Sequence, residues 1–150
     1  MVARMRHHGP IVWAMMTTGM LPSELWGKWS VQRNPARIEI LGTKQAGRVR
    51  AVPLIVPPVV PHVTPRYVRK QLRDARPGLV PKDCRNIYAR WLEEADIPPS
   101  IIESYMGHGV SNMTERYLRR DVWPRLEDDA RTLRAYLGLD NERKGLEVVR

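Results

Sequence analysis

Apolar positions recur at helical spacing along most of the chain and alternate over a short central part. Residues 10–18 are apolar nearly all round (Ile11, Val12, Trp13, Ala14, Met15, Met16), as a buried helix is, with Pro10 in the favoured first-turn position and Gly19 as the stop. A brief second helix is predicted over 22–26, opened by Pro22 and ended by Gly27. The period then changes to two. Residues 37–41 place Ile38 and Ile40 on one face of a strand, residues 49–55 read as a second strand, and 42–47 join them as a hairpin with a basic tip. Pro57, Pro58, Pro61 and Pro65 follow as an extended connection, because proline lacks the N–H that helix interiors and central strands use.

Thr64-Pro65, a cap and a first-turn proline, restores the helical period. One helix is predicted over 65–75 and is closed by Pro77; the next, over 81–95, aligns Cys84, Ile87, Tyr88, Trp91, Leu92 and Ala95 as a core stripe. Ser100 with Glu103 forms a capping-box pattern for a short helix that Gly107 ends, and Ser111 caps another over 111–118. The last long helix starts near 121, carries Leu126, Ala130, Leu133 and Leu137 on one face, and stops at Gly138. These elements predict a mainly α domain with a small antiparallel β-hairpin or sheet (α+β) over 1–138. A polar tail over 139–150 has a small apolar patch at Leu146, Val148 and Val149.

Composition adds a partner. Twenty-five Lys and Arg against 16 Asp and Glu give 25 − 16 = +9, a self-repulsion that polyanions relieve, so nucleic acid leads the list. Hydrophobic residues at 43% put that charge on a folded body rather than a disordered basic tail. Cys84 is the single cysteine, which excludes an intramolecular disulfide and a cysteine-based structural zinc site and fits a reducing, cytoplasmic setting in association with DNA. No signal peptide and no apolar run of membrane-spanning length is found, so no membrane partner is expected.

The charge is clustered. Between positions 66 and 90 stand Arg66, Arg69, Lys70, Arg73, Arg76, Lys82, Arg85 and Arg90 against only Asp74 and Asp83. Such a run is either a solvated helix face or a phosphate-facing surface, and Arg66, Arg69, Lys70 and Arg73 are the candidate DNA-binding residues. Lys82 and Arg85, three apart, lie on one side of their helix beside the apolar stripe, where their heads can converge on one phosphate. Lys44 sits in the hairpin tip Gly42-Thr43-Lys44, and Gly107-His108-Gly109 presents an imidazole at a sharp turn. Tyr117 is a poor nucleophile at neutral pH unless cations stabilise its phenolate and the phosphorane that it forms.

In this order and spacing the signals resemble the catalytic domain of the tyrosine recombinases, the phage integrases. The residues that carry the resemblance are Thr18-Gly19-Met20 before Ser23-Glu24-Leu25, the Gly-Thr-Lys hairpin, the basic-x-x-Arg pair, Gly-His-Gly, and a tyrosine nine residues after the histidine; they span 10–137. The resemblance implies that Tyr117 attacks a DNA phosphodiester to give a 3′-phosphotyrosyl link and a free 5′-hydroxyl. It implies that Lys44 protonates the leaving oxygen, that Arg85 clamps the non-bridging oxygens, and that His108 hydrogen-bonds to the same phosphate. The bond energy stays in the covalent link, so no cofactor and no metal are expected. Double-stranded DNA is the implied partner, with a homo-oligomer assembled on it through the C-terminal tail, and an N-terminal clamp domain is not expected in this chain.

Two positions depart from the family pattern. Lys82 stands where a histidine is usual, a change that related type IB topoisomerases share. Leu21 occupies the place of the first catalytic arginine in Thr-Gly-Met-Arg-x-x-Glu-Leu, and losing a charge-assisted contact of this kind removes about a hundredfold in rate, ~3 kcal/mol. Arg33 and Arg37 are near in sequence, but no spacing argument assigns either to that place. Two functions therefore compete, an impaired strand-cleaving enzyme and an inactive relative that binds DNA or serves assembly. A basic domain for RNA or structure would leave the spacing from Lys44 to Tyr117 unexplained.

Overall fold

The structure, a computed structural model, describes residues 9–41, 49–60, 64–108 and 122–140. Its elements are α1 (Pro10–Thr18), α2 (Pro22–Leu25), β1 (Trp29–Arg33), β2 (Ala36–Ile40), β3 (Arg50–Pro53), α3 (Pro65–Ala75), α4 (Pro81–Glu94), α5 (Pro99–Met106) and α6 (Trp123–Tyr136). The described residues thus form a mainly helical α+β fold with one three-stranded antiparallel sheet in the order β1-β2-β3.

Helix α1 is the centre of the core. Ile11, Val12, Ala14, Met15 and Met16 are all buried, and the two threonines at its end are buried because their hydroxyls have partners. Thr17 Oγ1 donates to Trp13 O at 2.9 Å and Thr18 Oγ1 to Ala14 O at 2.6 Å, while Met20 N donates to Thr18 Oγ1 at 3.1 Å. Gly19 ends the helix in the left-handed conformation at φ 68°, its N–H returning to Met15 O at 2.9 Å. Helix α4 packs on α1 with Cys84, Tyr88, Trp91 and Leu92 buried, so the expected stripe is the one that faces the core. Trp91 and Trp13 meet at 6.3 Å between ring centroids, tilted by 59°, and full burial of one such side chain contributes about 1.5–3 kcal/mol.

The sheet has one strand more than the hairpin that sequence alternation predicts. Strands β2 and β3 pair with Ile38 opposite Val52 and Ile40 opposite Arg50; β1 pairs on the other side of β2, with Val31 opposite Ile38. In β1 only Trp29 and Val31 are apolar, too short an alternation to mark a strand; they share a face with the buried Ile40 and Ile38 opposite them, and Val31 is 40% exposed because the strand lies at the sheet edge. The peptide bond Asn34–Pro35 between β1 and β2 is cis. Helix α6 covers β2 and β3: Arg37 lies 4.2 Å above the Trp123 ring, and Ala36 N donates to Glu127 Oε1 at 2.9 Å.

Helix α5 differs from expectation at its start. Pro99 takes the first-turn position and Pro98 the cap, so Ser100 lies inside the helix, and its carbonyl accepts from Ser104 Oγ at 3.2 Å. The capping-box pattern of Ser100 and Glu103 is therefore unused, because a proline whose φ already suits the first turn starts the helix before the serine. Half of the pattern appears elsewhere: Asp83 Oδ2 accepts from Val80 N at 3.0 Å ahead of α4, while the Val80 side chain has no acceptor to complete it. Among the described residues no helix is long and apolar enough to cross a membrane.

Candidate functional site

Arg85 marks the point where the distant motif segments meet. Its position on the edge of the α4 stripe turns the side chain into the core, where it is only 8% exposed. Nη1 donates to Gly19 O at the end of α1 (3.2 Å) and lies 3.8 Å from Glu24 Oε2 of α2; Nη2 donates to Met106 O at the end of α5. The termini of α1 and α5 leave carbonyls without helical partners, and one guanidinium serves both. Gly107, at φ 74°, then turns the chain so that His108 follows directly; His108 is exposed, and its N–H donates to Glu103 O at 3.0 Å.

Glu24 is the anionic centre. The carboxylate accepts from Arg50 Nη1 at 2.8 Å and Nη2 at 3.2 Å and from Leu21 N at 2.9 Å, and Arg50 Nη2 also reaches Gly19 O at 3.4 Å. Burial alone raises the pKa of this carboxyl, but the Arg50 hydrogen bond and charge, the Leu21 N–H and the Arg85 charge outweigh it and hold the group below its ordinary 4.5. Both members of the Arg50–Glu24 pair have side chains 1% exposed, and removing one partner of such a pair typically costs about 3–5 kcal/mol.

Leu21 is half-buried, and its backbone opens α2: Leu21 N caps onto Glu24 while Leu21 O accepts from Glu24 N and Leu25 N. Neither nearby arginine fills the charge that its side chain lacks. Arg33 ends the edge strand β1, exposed, and Arg37 is tied to Glu39 at 2.6 Å and to the Trp123 ring. The basic residue that does join Arg85 is Arg50, which no motif singled out. Its signal in the sequence is a cation on the same strand face as Val52, the face that β3 buries, where only an opposite charge makes an arginine tolerable.

The basic run divides by exposure. Arg66, Arg69, Lys70 and Arg73 are exposed on α3, as are Arg76 beyond it and Lys82 and Arg90 on α4, and Arg85 alone of the eight turns inwards. Thr64 Oγ1 accepts from Tyr67 N at 3.4 Å, so the expected cap fixes the start of α3, and Val68, Gln71 and Leu72 seat the opposite face. Lys70 stands 3.7 Å from Asp74 and Arg90 2.9 Å from Glu94, both solvated pairs of small energetic weight. Lys44, Tyr117, the helix expected over 111–118, Gly109 and the apolar patch at Leu146, Val148 and Val149 lie outside the described residues.

Further polar groups are buried near this junction. Tyr105 OH donates to Asp129 Oδ2 at 2.6 Å, and Arg125 holds the same carboxylate at 3.2 Å; burial and then Asp129 push the phenol well above its ordinary range. Burial pushes the Tyr88 phenol up likewise. Among the described residues no group of three or more His, Cys, Asp and Glu is placed to hold a metal ion. Compared with protein-family models, with curated proteins and with solved structures, the chain matches none.

Proposed function

We propose that the chain is a double-stranded-DNA-binding domain of the tyrosine recombinase type, which cleaves and rejoins a strand through a phosphotyrosyl link at Tyr117. The observation that carries this reading is the convergence on Arg85 of segments far apart in sequence, Gly19, Glu24 and the Met106-Gly107-His108 turn, each of them part of the resemblance. A guanidinium oriented by two backbone carbonyls is preorganised, and preorganised charge is what stabilises a phosphorane. The exposed cations of α3 and the start of α4 supply sequence-independent phosphate contacts. Leu21 removes one charge partner from the transition state and makes cleavage slow.

The test is incubation with a nicked suicide duplex that traps the covalent product, read as a shifted band in a denaturing gel. The proposal expects a faint adduct that Tyr117→Phe abolishes. A second reading, a non-cleaving DNA-binding relative, is favoured by the apolar Leu21 and by the burial of Arg85. It expects salt-dependent DNA binding with no adduct.

A further inference from the structure

The two guanidinium groups at the Gly19 carbonyl are held differently. Arg50 grips the carboxylate with both Nη atoms, 2.8 Å from Oε1 and 3.2 Å from Oε2 of Glu24, whereas Arg85 stands 3.8 Å from Oε2 and donates to the carbonyls of Gly19 and Met106. Carbonyls orient a guanidinium without cancelling its charge; a carboxylate in full contact cancels it. Glu24, Arg50 and Arg85 together carry +1, but Glu24 and Arg85 without Arg50 sum to zero.

We propose that Arg50 is a positioning residue of the reaction site: by holding Glu24 in a two-pronged pair it keeps the carboxylate off Arg85, whose charge is left for a DNA phosphate. This rests on the DNA-cleaving reading and adds to it the residue that keeps Arg85 cationic in effect. Glu24 is fixed from two sides, by Arg50 and by the Leu21 N–H that opens α2. With Arg50 gone, Arg85 still stands 3.8 Å from the carboxylate as a second cation beside it. A short rotation then pairs them fully.

A merely structural Arg50 and a charge-positioning Arg50 differ in what rescues their loss. Arg50→Met leaves Glu24 to neutralise Arg85. The double variant Arg50→Met/Glu24→Gln removes both charges, restores +1, and keeps an acceptor for Leu21 N. The full chain is measured in two ways, by adduct yield on the suicide duplex and by the dependence of duplex affinity on salt. Arg50→Met is expected to cut the adduct rate by about tenfold or more and to flatten the salt slope by about one, as the loss of one phosphate contact does. The double variant is expected to return the slope to that of the parent and the rate to within about threefold of it.

A folded Arg50→Met protein with the rate and slope of the parent overturns the proposal, and so does a folded double variant as impaired as the single one. If Arg50→Met does not fold, the double variant decides alone: recovery supports the proposal, and a depressed rate with a flattened slope overturns it. A parent that binds DNA without forming an adduct removes the cleavage reading only, and the salt slopes then decide the part played by Arg50. A parent that does not bind DNA removes both.

Discussion

Gly19→Ala should destabilise the protein by two separable effects, and Gly138→Ala isolates one of them. Both glycines are left-handed, at φ 68° and 71°, so a side chain at either position costs about 1–2 kcal/mol in backbone strain. At Gly138 nothing among the described residues lies within 4 Å of the added methyl group, and the cost ends there. At Gly19 the methyl carbon would stand 2.6 Å from Tyr88 Cδ1 and 3.0 Å from Cε1. The Tyr88 ring is fully buried between elements and has no room to retreat, so overpacking adds about 1–3 kcal/mol. The expected totals are about 2–5 kcal/mol for Gly19→Ala and about 1–2 for Gly138→Ala. Urea denaturation of the two variants beside the parent measures both, with unchanged slopes required for the comparison. If Gly19→Ala costs no more than Gly138→Ala, the close packing of α1 on α4 is refuted. The Gly19 carbonyl also anchors Arg50 and Arg85, so any surviving adduct formation should fall in Gly19→Ala and stay unchanged in Gly138→Ala.

Replacing Arg69, Lys70 and Arg73 together with alanine should weaken duplex binding and reduce the salt slope by about two to three, since each neutralised phosphate contributes about 0.9; an unchanged gel-shift titration would place the DNA surface elsewhere. Glu24 has its folded value lowered, so the stability it contributes is present above the ordinary carboxylate value and is lost as the pH falls through the folded one. The difference in melting temperature between the parent and Glu24→Gln should accordingly be large at pH 7 and close towards pH ~3, and a difference that widens in acid contradicts the pairing. Burial, then the Asp83 charge, pushes the Cys84 thiol to about 12, so a disulfide reagent at neutral pH should leave the native protein unmodified and label it fully in urea. Rapid native labelling would contradict the packing of α4.

Elements whose own residues decide their state were legible in the sequence. Helices α1 and α3 begin and end where their prolines, caps and glycine or proline stops place them, and the α4 stripe has the period of a buried face. The strand β1 was not legible, because its alternation stops after Trp29 and Val31, and so short a run takes its identity from β2 alongside it. Helix α5 shows a local conflict, a serine cap against a first-turn proline, that only the packed chain resolves. In the candidate site, Arg85 and His108 were legible as motif members, but the inward course of Arg85 was not, since spacing alone set it beside Lys82 at the rim of the core, whereas Lys82 is exposed and Arg85 buried. Arg50 was silent because its meaning lies in Glu24, 26 positions away, and pairs at that distance leave no periodic trace.

The most direct measurement of the central claim is adduct formation on a nicked suicide duplex by three proteins side by side: the parent, Leu21→Arg and Arg85→Ala. Arginine at position 21 returns a charge partner to the phosphorane and should raise the rate by at least about tenfold, ~1.4 kcal/mol of transition-state stabilisation, whereas Arg85→Ala should leave nothing measurable. The account predicts that order, with the DNA attached at Tyr117 through its 3′ end. No adduct from the parent or from Leu21→Arg, with duplex binding intact in both, would contradict it and leave a DNA-binding protein that does not cleave.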